Sequence, residues 1–163
     1  MSQDSSDLAD RIASAFDELA TAANNLNTVS DELSRSVANL DNALKKLNLG
    51  VSTWVRLSRT EDSHGAFALK ELGYAKIGSR WGLALRTVAG HGLGAELEER
   101  EEWLFNDAPR PLRVQAIDMI PELLERLVRD ARNTTRVISR KIRQAERFDL
   151  SAGTPRPNPN TRK

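Results

Sequence analysis

Seven arginines, Arg126, Arg129, Arg132, Arg136, Arg140, Arg143 and Arg147, recur at spacings of three and four residues toward the C-terminal end of the chain. At about 100° per helical residue they share a sector roughly 120° wide, opposite a sector that holds Leu124, Leu127, Ala131, Ile138, Ile142 and Ala145. Such a row of guanidinium groups can lie along nucleic-acid phosphates, pair with an acidic protein surface, or stay in water. The apolar side has no Trp and no Phe before Phe148, so a membrane-surface role is not expected. Eighteen of the 24 basic residues are Arg, a compositional bias that by itself does not argue for phosphate recognition.

Two further stretches have chemistry-bearing types. Gly90-His91-Gly92-Leu93-Gly94-Ala95 has the look of a phosphate loop, but its spacing is not GxGxxG and no lysine and hydroxyl pair follows. It reads as a connector. The run Glu96-Leu97-Glu98-Glu99-Arg100-Glu101-Glu102 reads as a short acidic helix that would set Glu98 and Glu102 on one face, with His91 close in sequence. Acids in the first turn of a helix are expected from its dipole, so this pair is read as a solvated face. There is no nucleophile elbow and no HExxH, and no catalytic residue is assigned.

Composition narrows the classes further. The 163 residues contain no Cys and only His64 and His91 as imidazoles, which removes disulfides, thiolate chemistry and sulfur-ligated zinc. No metal or cofactor is expected. The net charge of +1 conceals segregation along the chain: residues 1–48 carry 8 acids and 4 bases, whereas residues 121–163 carry 5 acids and 11 bases. No apolar run reaches the length of a spanning helix and Met1-Ser2-Gln3-Asp4 lacks a signal-peptide core, so a cytoplasmic location is expected.

The elements that must position these residues begin with a long helix over residues 8–47. Ile12, Leu19, Leu26, Leu33, Leu40 and Leu47 repeat every seven residues as an a row, and Leu8, Ala15, Ala22, Val29, Ser36 and Ala43 form the d row. The e row, Ala9, Phe16, Ala23, Ser30, Val37 and Leu44, is also mostly apolar, which widens the stripe toward a bundle and leaves no charged e row for a parallel-dimer code. No Pro or Gly interrupts residues 5–48, and Gly50 stands where a C-terminal cap is expected. The a row is the candidate oligomerisation surface.

Alternation over Val51–Arg59 predicts a strand. Gly78-Ser79 between Leu72–Ile77 and Arg80–Arg86 predicts a two-residue II′ hairpin in which Ile77 opposes Arg80, Ala75 opposes Gly82 and Gly73 opposes Ala84. One face of that hairpin is bulky, and a helix is expected on the other, nearly bare face. Asp107-Ala108-Pro109-Arg110-Pro111 turns into a helix that Pro121 either kinks or replaces with a second one running to about Phe148. The Asn133-Thr134-Thr135 sequon lies inside that helix and is not read as glycosylated. The Pro-rich residues 151–163 are expected to be disordered.

The expected architecture is α+β: a long N-terminal coiled-coil or bundle helix (1–48), then a small domain (49–150) with a three-stranded antiparallel sheet and an amphipathic basic C-terminal helix, then a tail (151–163). The expected function is that of a non-enzymatic, homo-oligomeric interaction or regulatory protein. It would assemble through the N-terminal helix and present the sheet and basic helix to a protein partner. The alternative is a nucleic-acid-binding protein that contacts DNA or RNA phosphates through Arg126–Arg147.

Overall fold

A computed structural model describes residues 3–91 and 99–152, with side chains between Asp7 and Phe148. The chain is α+β. Helix α1 (Gln3–Lys46) leads into strands β1 (Thr53–Glu61), β2 (Ala66–Ile77), β3 (Arg80–His91) and β4 (Glu99–Leu104), followed by α2 (Arg110–Ala116) and α3 (Ile120–Ala152), with short 3-10 turns at Phe105–Asp107 and Ile117–Met119. The sheet is antiparallel in the order β1-β2-β3-β4.

The 44 uninterrupted residues of α1 span about 66 Å at 1.5 Å per residue. The helix stops earlier than Gly50: Asn48 takes φ 48°, and the Leu47 and Asn48 amides bond back to Leu44 and Lys45, with Gly50 at φ 60° completing the reversal. The hairpin forms in the expected register, Ile77 facing Arg80 and Gly73 facing Ala84. Gly78 has φ 58° while Ser79 does not enter the positive-φ region, the combination a II′ turn uses. At the other end of β2, Asp62 accepts the backbone N–H groups of Ala66 and His64, which hold its carboxyl below the usual carboxylate range and fix the turn.

Three expectations are corrected. The sheet has four strands, because the acidic run from Glu99 is β4 and not a helix. Helix propensity is worth only tenths of a kcal/mol per residue, and β3 offers a full hydrogen-bonding edge. Pairing there sets Glu102 opposite Arg86 and half-buries Trp103 beside Leu85. The helices cover the bulky face of the hairpin and not the bare one. Thr53, Val55, Leu72, Tyr74, Leu83 and Leu85 share that face and join Val37 and Leu44 of α1, Leu112 and Ala116 of α2, and Leu123 and Leu127 of α3 in one buried cluster. Large side chains bury more apolar area against a helix than Gly and Ala can. Finally, Pro121 sits in the first turn of α3, which starts a new helix and continues through Ser151 and Ala152, two residues assigned above to the tail. Residues 153–163 and 92–98, with Glu98 and most of the Gly-rich segment, lie outside the described residues.

At Gly82 the bare face meets Asp41 of α1 and Leu104 of β4, and at Gly73 it is closed by a side chain of a neighbouring strand. Trp54 lies across Gly73, where a Cβ would fall 2.4 Å from the indole Cε3 and 2.8 Å from the Thr53 carbonyl oxygen. Any side chain at 73 must displace the indole and shift backbone. Gly73→Val is expected to destabilise the fold by about 2–4 kcal/mol and to lower the melting temperature by about 5 °C or more. Adding Trp54→Ala should make the double loss smaller than the sum of the singles. An unchanged melting temperature for Gly73→Val would show that the indole does not occupy this position.

Candidate functional site

The sequence-predicted residues separate into those the fold absorbs and those it leaves outside. In the a row, Leu33 and Leu40 pack on the core of their own chain, whereas Ile12, Leu19, Leu26 and Leu47 are 48–63 % exposed. The docked half of α1 buries a and e positions, Leu33, Val37, Leu40 and Leu44, while Ser36 and Ala43 of the d row stay exposed. The sheet thus selects one flank of the wide apolar stripe.

Polar contacts that spacing did not reveal hold α1 in place. Asp41 accepts the Leu83 N–H at 2.7 Å on the side of β3 that β4 has ceased to cover, and it also pairs with Lys45 at 2.6 Å. From α2, Arg113 donates to Ser34 Oγ at 2.8 Å and Arg110 to Asn27 Oδ1 at 3.0 Å, while Asn106 donates to the Ser34 carbonyl at 3.2 Å. Side chains from Asp7 to Val29 are all exposed, so the part of α1 before Ser30 stands clear of the sheet. Its large apolar side chains, Leu8, Ile12, Phe16, Leu19, Leu26 and Val29, are 48–69 % exposed.

Helix α3 repeats this division. Thr53, buried in β1, donates to Asp130 at 2.7 Å, and Leu123 and Leu127 are in the core, but Ile138 and Ile142 are 54 % and 53 % exposed. Arg126, Arg129, Arg132, Arg136, Arg140, Arg143 and Arg147 are all exposed. Among the described residues none of the seven makes an ion pair, and Arg136 donates to the neighbouring Asn133.

The outer face of the sheet holds a charge row that reading strands one at a time could not find. Arg56, Glu71, Arg86 and Glu102 stand opposite one another across all four strands. The half-buried Arg86 guanidinium lies 4.0 Å from the Trp54 ring centroid, pairs with Glu71, and approaches Glu102 at 3.9 Å. Glu102 is therefore a cross-strand partner of arginine and not half of a helical carboxylate pair with Glu98. His91 is exposed at the end of β3, and no group of three potential metal ligands occurs among the described residues.

A cleft of about 310 Å³ lies between the end of α1 and the hairpin, lined by Lys45, Leu49, Tyr74, Arg80 and Trp81 among others. Its two cations are already engaged, Lys45 with Asp41 and Arg80 with Asp107 at 3.9 Å. Tyr74 stacks on Trp81 with centroids 5.7 Å apart. No described helix is long and apolar enough to cross a membrane. Comparison of the chain with protein-family models, with curated proteins and with solved structures finds no match.

Burial pushes the Tyr74 phenol up from its ordinary 10, and the Asp41 carboxylate adds to the shift. Because the folded value lies above the unfolded one, the unfolded chain releases this proton first, and stability is lost as pH rises beyond 10. Tyr74 is the single tyrosine, so its ultraviolet tyrosinate absorbance reports on it alone. Its ionisation midpoint is expected above the free-phenol value and lower in Asp41→Asn, which keeps an acceptor for Leu83. A native midpoint at the free-phenol value, with far-ultraviolet circular dichroism intact, would contradict the burial.

Proposed function

We propose that the chain is a non-enzymatic interaction or regulatory protein that self-assembles through the free half of α1 and presents its sheet and α3 to a protein partner. The observation that carries this reading is the stripe from Leu8 to Val29, six large apolar side chains on one helix with about half or more of each in water. Burying the exposed part of each contributes about 1 kcal/mol. Six from each of two copies, about 12 kcal/mol, are set against the roughly 4–15 kcal/mol that association costs. At the low end of that cost about 8 kcal/mol is left, a micromolar assembly, so it is to be measured at about 50 μM.

Sedimentation velocity at that concentration is expected to give an oligomer for the native chain and a monomer for Ile12→Asp with Leu19→Asp. Both positions stand outside the core, so the far-ultraviolet circular dichroism of the domain should survive. A native chain that stays monomeric at about 50 μM overturns the reading.

A second reading is supported by the seven α3 arginines, exposed and without carboxylate partners among the described residues. In it the row lies along DNA or RNA phosphates. Four to six contacts would give a slope of log affinity on log salt of about −4 to −5. Arg136→Glu with Arg140→Glu is expected to weaken binding to any mixed-sequence duplex and to flatten that slope by about 2. Absence of binding at low salt leaves the arginines to a protein partner or to water.

A further inference from the structure

Tyr74 and Trp81 stand on a diagonal of the β2–β3 pair, and their rings stack with centroids 5.7 Å apart. Tyr74 is 2 % exposed, yet among the described residues its hydroxyl has no hydrogen-bond partner. Leaving a buried polar group unpaired is costly, and a buried phenol usually finds an acceptor or donor. The open space that Tyr74 borders is the cleft of about 310 Å³ between the end of α1 and the hairpin, so a partner for the hydroxyl has to enter there.

We propose that this cleft binds a small aromatic carboxylate, its ring against Trp81 and Leu49 and its carboxylate held by Arg80 and Lys45, with the Tyr74 hydroxyl donating to the bound anion. The site lies apart from the free half of α1, and the inference does not rest on the self-assembly reading.

Charge selects an anion. The cleft is lined by Lys45 and Arg80 and, among the described residues, by no carboxylate. Asp41 and Asp107, the acids these cations meet, line the neighbouring cleft of about 240 Å³ instead. Lys45 pairs with Asp41, but its ammonium has three donors, and the Asp41 carboxylate is further occupied by the Leu83 amide. Arg80 stands 3.9 Å from Asp107, beyond hydrogen-bond distance, so its fork of donors is available to a bidentate acceptor. A helix C-terminus repels anions through its free carbonyls. At the end of α1 the Leu47 and Asn48 amides take up the Leu44 and Lys45 carbonyls, which reduces that repulsion.

Shape selects a ring. Half-buried Trp81 and Leu49 supply the apolar wall. A volume of about 310 Å³ is at the lower end of the roughly 300–1,000 Å³ of small-molecule sites, which suits one or two rings. Burial holds the Tyr74 phenol above its ordinary value, so it is protonated at neutral pH and donates to an anionic oxygen.

The test is a titration of the full-length chain with 2-naphthoate, followed by NMR of the three tryptophan indole N–H groups, with Trp81 assigned through Trp81→Phe. The Trp81 resonance is expected to shift with a Kd of about 1 mM or tighter, the affinity of a ligand of this size. The neutral isostere 2-naphthamide should bind at least about 10-fold more weakly. Arg80→Gln should weaken 2-naphthoate at least about 10-fold, and Tyr74→Phe, which keeps the ring stack, at least about 3-fold, both with unchanged far-ultraviolet circular dichroism. Ile12→Asp with Leu19→Asp should leave the titration as it is in the native chain, which separates the cleft from adhesion to the apolar stripe of α1. A Trp81 resonance that stays still up to about 10 mM 2-naphthoate, an equal response to 2-naphthamide, or native affinity in Arg80→Gln and Tyr74→Phe each overturns the inference, and none of these outcomes bears on self-assembly through α1.

Discussion

The carboxylate of Asp41 occupies the stretch of the β3 edge just before Ala84, where β4 has ended, and this contact helps to set the place of the first helix. Strand β4 ends at Leu104, opposite Ala84, which leaves the Leu83 amide without a ladder partner. A buried backbone N–H without an acceptor costs about 1–3 kcal/mol. Asp41 supplies the acceptor from a helix, and the turns on either side of it bring Val37 and Leu44 into the core that also holds Tyr74 and Leu83. The helix is thereby fixed by a polar contact at the strand edge and by apolar contacts on the sheet face. Arg110 and Arg113 of α2 then hold it at Asn27 and Ser34, and beyond these it stands free.

The outer face of the sheet obeys a different constraint. Gly73 and Ala84 leave a shallow floor, and Trp54 from the neighbouring strand fills it. The indole in turn carries the Arg86 guanidinium, a stacked geometry that Arg supports and Lys does not. Arg86 is half-buried, so its charge needs compensation, which Glu71 and Glu102 provide from the strands on either side. The acidic stretch ahead of Trp103 is explained by this row: one of its carboxylates completes an alternating series across the sheet, and the rest keep an edge strand charged, which discourages pairing with another chain.

The hairpin and the division into helix, sheet and helix were legible in the sequence because each is signalled locally. Gly78-Ser79 specifies its own turn, and alternation from Leu72 to Leu85 specifies which residues share a face. What was not legible depends on partners distant in the chain. The run from Glu99 to Leu104 has the composition of a helix and becomes a strand because β3 offers an edge. The bare face reads as a seat for a helix until Trp54 is known to stand opposite Gly73, and that follows only from the β1–β2 register. Of the candidate site residues, the α3 arginines stand exposed, whereas Leu33 and Leu40 were indistinguishable in spacing from Ile12 and Leu19. Only the position of the sheet separates them.

That last ambiguity has a physical source. A heptad row records that a helix buries one side, not whether the covering surface belongs to the same chain. In both α1 and α3 the row is continuous, while the domain is large enough to cover only one half of each, so the pattern passes from intrachain core to open surface without a change in residue type. Nothing in folding the domain requires Ile12, Phe16, Ile138 or Ile142 to be apolar, since all are more than half exposed. Exposed apolar side chains in register along one helix face are the pattern by which contact surfaces are recognised in general.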